Sequence, residues 1–148
     1  MKNNPKKHTI LLMFALVIML LLALGVHVLA GHTNFGIAFA RSGTFENIHQ
    51  NIHSTGWTFS AYEANGNNTI FAILNQDNLD NFSLKSSIEN GVVVLTIRNG
   101  EISQSFDLNA GRLEMSSSDI DMNQFTPGRI EFTLTFTNAI NASIEVEW

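Results

Sequence analysis

The feature that most constrains this chain is an uncharged apolar stretch of 21 residues, Ile10 to Ala30. It follows a basic segment, residues 1–9, that carries Lys2, Lys6 and Lys7. At about 1.5 Å per residue, a helix of this length spans roughly the 30 Å hydrocarbon core of a bilayer. One N-terminal hydrophobic helix is therefore expected, either as a transmembrane anchor or as a signal-peptide core. A signal-peptide core is usually shorter, about 7–15 residues, which favours the anchor. Against this, Ile10 to Leu24 alone is a core of fitting length, closed by Gly25. Val28-Leu29-Ala30 and Ala38-Phe39-Ala40 then offer small residues for cleavage. Both readings give one topology, with the lysines inside and the remainder of the chain on the extracellular side, anchored or secreted. His27 reads as the polar end of the run rather than a functional intramembrane group.

Beyond residue 40 the chain has 108 residues, enough for one core and too few for two. Five cations there face 13 acids, a balance of −8, which argues against nucleic acid and against charge-driven binding to anionic lipid. There is no cysteine, so disulfides, zinc–thiolate sites and thiol catalysis are excluded. The sequons at Asn67, Asn81 and Asn141 would be glycan acceptors in a eukaryotic secretory protein, but in so Asn-rich a chain they read as chance matches at turn residues.

Residues 31–43 are Gly-rich and lack periodicity, and are expected to be a linker or the end of the signal segment. The exported domain is expected over 44–148. Thr44 to His53 is ambiguous between helix and strand, and is assigned a first strand because strands follow. Trp57 to Glu63 alternates, with Trp57, Phe59 and Ala61 on one face and Thr58, Ser60 and Tyr62 on the other. A turn is expected at Asn65-Gly66-Asn67, then a strand at Thr69–Leu74 that is apolar on both faces. Asn75 to Asn81 reads as a polar connection. Asn90-Gly91 and Asn99-Gly100 are two-residue hairpin signals. Paired through them, Leu84, Ile88, Val93, Leu95, Ile97, Ile102 and Phe106 share one face, and Arg98 opposes Glu101. Arg112–Met115 reads as a short strand. Ser118–Phe125 reads as a helical turn capped by Ser118 or Asp119. Ile130 to Thr137 alternates strictly, and Ala142 to Trp148 follows through a three-residue loop with Asn141 in the left-handed region. Such a loop sets Phe136 opposite Ile144 and Phe132 opposite Trp148.

About eight short strands, each with one apolar face, predict an all-β fold: an antiparallel two-sheet sandwich. The stretch Phe125-Thr126-Pro127-Gly128-Arg129-Ile130-Glu131-Phe132 resembles the proline–glycine entry into a late strand of bacterial extracellular immunoglobulin-like and prepeptidase-C-terminal-like modules. The resemblance extends over roughly Trp57 to Trp148. It implies a sandwich with an accessory or binding role and carries no catalytic residue across.

Candidate sites are few. Asp119, Asp121 and Asn123 match the first half of a calcium loop, but Gln124 and Ile130 stand where Gly and Glu belong, so an EF-hand is rejected. A looser metal site and a capped helical turn remain as readings of these residues, and Asp77 and Asp80 have the same standing. His49 and His53 are either a metal pair or two solvated side chains. Thr133, Thr135 and Thr137 form a threonine row of the kind found on ice-binding surfaces, though β-propensity alone explains it. No nucleophile–base set, carboxylate motif or phosphate loop emerges, and no cofactor is implied. The expectation is a noncatalytic module, binding or structural at the cell envelope, with a protein or glycan partner. Its ligand-binding surface is placed at Tyr62, Thr58 and Ser60, beside the Asn-rich stretch 65–68. The competing reading is a small secreted hydrolase or inhibitor with a site on its loops.

Overall fold

Two long strands organise the fold. The computed structural model describes residues 39–108 and 111–148, the side chain of Arg112 excepted. The apolar run Ile10–Ala30 and His27 lie outside these residues. Among the described residues no helix is long and apolar enough to cross a membrane. In chain order the strands are β1 (Phe39–Glu46), β2 (His49–His53), β3 (Gly56–Leu74), β4 (Ser83–Ile88), β5 (Asn90–Asn99), β6 (Ile102–Asp107), β7 (Gly111–Ser116) and β8 (Gly128–Glu147). They form one eight-stranded sheet in which every pairing is antiparallel.

β3 and β8 pair along their whole lengths, from Gly56 opposite Glu147 to Leu74 opposite Gly128. Each then serves two sets of neighbours. On the far edge of β3, β2 pairs with residues 56–60 and β1 with residues 63–70. On the far edge of β8, β5 pairs with residues 131–140 and β4 with residues 143–147. β6 extends β5, and β7 extends β4. One half of the sheet therefore runs β2-β3-β8-β4-β7, and the other runs β1-β3-β8-β5-β6.

The two halves face each other. Phe132 and Trp148 lie sixteen positions apart along β8 and its end, roughly 50 Å in a straight strand. Their rings are stacked with centroids 5.5 Å apart. Phe59 lies opposite Ile144 in the ladder, yet packs on Phe136 at 5.0 Å. Phe82 also stacks on Phe132, at 5.9 Å. The sheet is thus folded back on itself, and its inner surface is the core. Burying each of these aromatic side chains stabilises the fold by about 1.5–3 kcal/mol.

The corner has a local cause in each strand. Buried positions in β3 run Trp57, Phe59, Ala61 and then Ala64, Asn68, Ile70, Ala72, Leu74, a change of phase. At that change Tyr62 and Glu63 are both exposed, and the ladder to β8 slips between Ala64 and Gly66. Such a bulge bends a strand and restarts its alternation. In β8, Asn138 and Asn141 adopt left-handed φ values of 47° and 48°. Asparagine tolerates that region better than other side chains. β1 and β2 are one register along β3 interrupted at Asn47, whose φ is 49°. Two short elements bring further apolar side chains to the core. Helix α1 (Gln76–Asp80) buries Leu79 and is held by a reciprocal capping box between Asn75 and Asn78. Helix α2 (Ser117–Ile120) and the 3-10 turn Met122–Gln124 bury Ile120 and Met122.

Several sequence expectations are corrected. Eight antiparallel strands are present, but the sheet is continuous: β3 and β8 belong to both halves, where two separate sheets were expected. β1 starts at Phe39, inside the stretch read as a linker. The chain does not turn at Asn65–Asn67 or at Ala139–Asn141; both are bends within long strands. Asn141 is left-handed as expected, and Phe132 does meet Trp148, but across the core and not as a ladder partner. Asn90-Gly91 makes no hairpin. β4 and β5 lie in opposite halves, and Gly91 passes so close to the corner of β8 that a Cβ there would stand 2.2 Å from the Asn138 carbonyl oxygen. The β5–β6 hairpin forms two positions off the expected register, with Asn99 opposite Ile102 and Leu95 opposite Phe106. Asn99 is withheld from the turn because its side chain accepts from Thr126 N and Oγ1 and donates to the Arg129 carbonyl. Arg98 accordingly pairs with Glu131 at 2.6 Å and not with Glu101.

Candidate functional site

Alternation in a folded sheet sends one set of side chains into the core and leaves two outer faces. On the first half, the ladders align His49, Ser60, Ser143 and Ser87 in one row across β2, β3, β8 and β4. A second row, one step along, holds Asn51, Thr58, Glu145, Lys85 and Glu114, ending on β7. Thr58 and Ser60 therefore sit inside a polar face that crosses the half-sheet, bordering a recess of ≈ 320 Å³ shared with His49, Asn51 and Ser143. Tyr62 lies past the end of these rows, at the corner of β3, and is 49% exposed. The structure thus brings Thr58 and Ser60 together and sets Tyr62 at their margin. Asn65 and Asn67 are exposed close by, whereas Asn68 points inward and is fully buried.

The Asp119–Asn123 stretch is engaged with its own backbone. Asp119 accepts from Ser116 N at 2.8 Å and from Ser116 Oγ at 2.7 Å, closing a capping box on α2. These two bonds hold its carboxyl below the ordinary aspartate range. The cap is Ser116, two positions before the expected Ser118. Asp121 sits in the left-handed region and accepts from Gln124 Nε2. Among the described residues no group of three or more His, Cys, Asp or Glu is placed to hold a metal ion. His49 and His53 stand four residues apart on a strand, about 13 Å, too far to share one ion. His53 instead meets the Thr55 hydroxyl at 3.2 Å. Asp80 takes a bond from Gln76 and Asp77 supplies its carbonyl to Asn81, so both serve α1.

The second outer face carries the feature that sequence reading missed. Phe71, Glu131, Arg98 and Ser103 form a row across β3, β8, β5 and β6, and Thr69, Thr133, Thr96 and Ser105 form the next. The Arg129 guanidinium lies over the Phe71 ring, 4.2 Å from its centroid. Phe71, Arg98, Gly100, Arg129 and Glu131 border an open recess of ≈ 410 Å³. Thr133 lies within the threonine row noted above, and its hydroxyl meets that of Thr69 at 2.9 Å. The available signal was the both-faces-apolar strand Thr69–Leu74, whose outward residue Phe71 had no assigned partner.

No family model matches this sequence, and no curated protein is similar to it. The resemblance at Phe125–Phe132 rests on its pattern alone, with Gly128 opening β8. Among solved structures the chain is similar to TmCBM61, determined in complex with β-1,4-galactotriose, at TM-score 0.39 and 11% identity over 77% of this chain and 86% of that one. It is similar also to the family 11 carbohydrate-binding module of the cellulosomal cellulase Lic26A-Cel5E of Clostridium thermocellum, at TM-score 0.37 and 11% identity over 77% and 88%. The C-terminal domain of A223, a structural protein of Sulfolobus turreted icosahedral virus, gives TM-score 0.33 and 15% identity over 75% and 99%. At these scores no residue role or ligand is carried to this chain.

Proposed function

We propose that this protein is a noncatalytic binding module of the cell envelope, held or released on the outer side of the membrane. The observation that carries the reading is the polar face of the first half-sheet. Thr58 and Ser60 lie mid-row there, between His49 and Asn51 on β2 and Ser143 and Glu145 on β8. Hydroxyl, amide, imidazole and carboxylate groups in register form a hydrogen-bonding surface held by rigid strands, and Tyr62 adds a ring at its margin. The reading takes the module as a sandwich-like β fold whose partner is a protein or glycan of the envelope. The basic segment and the apolar run support an inside amino end and an outside domain.

The test is retention of the purified full-length protein on isolated envelope fractions, compared with Thr58→Ala/Ser60→Ala and Tyr62→Ala variants. Lost retention with unchanged melting supports the face. Retention unchanged in the double variant removes the face from the reading. Turnover of glycan, ester or peptide substrates by the wild type overturns the noncatalytic assignment. Alkaline phosphatase fused after Trp148 should be active, and an inactive fusion in an export-competent host reverses the topology.

A further inference from the structure

We infer that the recess at Arg129 and Phe71, on the opposite half-sheet from Thr58 and Ser60, binds an acidic sugar unit through a carboxylate or phosphate group. Three observations carry this. The first is orientation. With its guanidinium 4.2 Å from the Phe71 centroid, Arg129 is held by stacking, which leaves its edge N–H donors free to take two oxygens of a carboxylate or phosphate in the paired manner arginine favours.

The second is charge. Glu131, the carboxylate of the recess, is committed to Arg98 at 2.6 Å, with a longer contact from the Thr133 hydroxyl at 3.5 Å. Among the described residues Arg129 forms no ion pair, so the recess carries one uncompensated positive charge. This stands out in a region where 13 acids outnumber five cations. Solubility does not require a cation at this point, and the ladder partner of Arg129 is Ile73.

The third is the setting. The adjoining row offers hydroxyls that meet in pairs, Thr69 with Thr133 and Thr96 with Ser105, each at 2.9 Å. Either member of each pair can donate, so the row presents both donors and acceptors to a polyhydroxylated chain. The members of each pair stand on adjacent strands, so the row sets four hydroxyls in line across β3, β8, β5 and β6. Recesses of about 300–1,000 Å³ take small ligands, and ≈ 410 Å³ lies in that range. An acidic peptide is less suited. A peptide gains most by main-chain pairing along a strand edge, whereas the groups offered here are side chains standing on the outer face of the sheet.

The experiment is titration calorimetry on the full-length protein in detergent micelles with five probes: polygalacturonate, a phosphomannan, dextran, polyglutamate and inorganic phosphate. Binding of polygalacturonate or phosphomannan is expected, and which of the two binds tells carboxylate from phosphate. Arg129→Gln should weaken it at least tenfold at unchanged melting temperature, and Arg129→Lys, which keeps the charge without the planar fork, by less. Failure of both acidic glycans to bind overturns the inference. So does binding of dextran, polyglutamate or inorganic phosphate as tight as that of the acidic glycan, or a tight interaction indifferent to Arg129→Gln. The Thr58→Ala/Ser60→Ala variant keeps this recess intact, so loss of envelope retention there leaves the calorimetric result unaffected.

Discussion

Replacing Arg41 by alanine should destabilise the domain by about 2 kcal/mol, and the cost should arise at a residue that is not replaced. Asn68 is 0% exposed on the inner side of β3. Its Oδ1 accepts from Arg41 Nε at 3.2 Å, and its Nδ2 donates to Gln50 Oε1 at 3.1 Å. Arg41 Nη2 donates to the same Gln50 oxygen at 2.7 Å. The guanidinium also lies 5.5 Å from the Phe45 centroid and 5.9 Å from that of Phe59. Three strands, β1, β2 and β3, are thus joined by one polar network at the mouth of the core. Arg41→Ala leaves the buried Asn68 oxygen without this donor, a loss of about 1–3 kcal/mol. Because Arg41 itself is exposed, water entering its place recovers part of this, which sets the middle of the range as the expectation. For a domain of this size the melting temperature should fall by roughly 8 °C. The buried Trp57 and Trp148 make fluorescence a direct monitor of the transition. The decisive comparison is the same change in an Asn68→Leu background, where no buried oxygen needs a donor. There the cost should drop below about 0.5 kcal/mol, since removing both partners of a buried bond is nearly neutral. An equal cost in both backgrounds would refute the reasoning and assign the effect to lost packing of the arginine stem.

Three further outcomes are expected. Gly91→Ala should lower stability by about 1–3 kcal/mol, read by chemical denaturation, because the added Cβ meets the Asn138 carbonyl and the backbone there has φ of 88°. Phe132→Ala should cost about 3–5 kcal/mol by the same measurement, since it removes a fully buried ring that stacks with both Phe82 and Trp148 and opens a cavity in the core. Asp119→Asn should abolish one acid-sensitive step in the exchange protection of the α2 amides. The wild-type carboxyl is held low by Ser116, so its contribution is full above the unfolded aspartate pKa of about 4 and is lost as pH falls through the lower folded value.

Strand existence and facing were legible in the sequence. Trp57, Phe59 and Ala61, and Ile130, Phe132, Leu134 and Phe136, point inward as their alternation requires. Connectivity was less legible, because the rule that Asn-Gly makes a hairpin assumes that the flanking strands pair with each other. At Asn90-Gly91 the glycine serves a close approach between backbones, which a local pattern cannot distinguish from a tight turn. Asn141 shows the same limit: its left-handed backbone was foreseeable, but that conformation bends a strand as readily as it reverses one. The ambiguity of Thr44–His53 has a physical source. Gln50 shares its inward face with Ile48 and Ile52 because it belongs to the Asn68 network, so the apolar pattern is broken by a polar group the core requires. Of the site, the in-register placing of Thr58 and Ser60 followed from alternation. The recess at Phe71 did not, because it depends on a β3–β8 register fixed only by the long-range pairing.

The placing of β8 decides when this domain can fold. β3, β4 and β5 all take ladder partners from residues 128–147, so three strands made earlier wait on one made later. Gly56 finds Glu147 only across ninety-one positions of chain, and loop closure over such separations is slow. Until β8 emerges, the chain retains open strand edges and a half-built core, the state most exposed to aggregation. A polypeptide arranged in this way completes its sheet only once residues 128–147 are in place, so these 20 residues set the moment at which the whole domain closes.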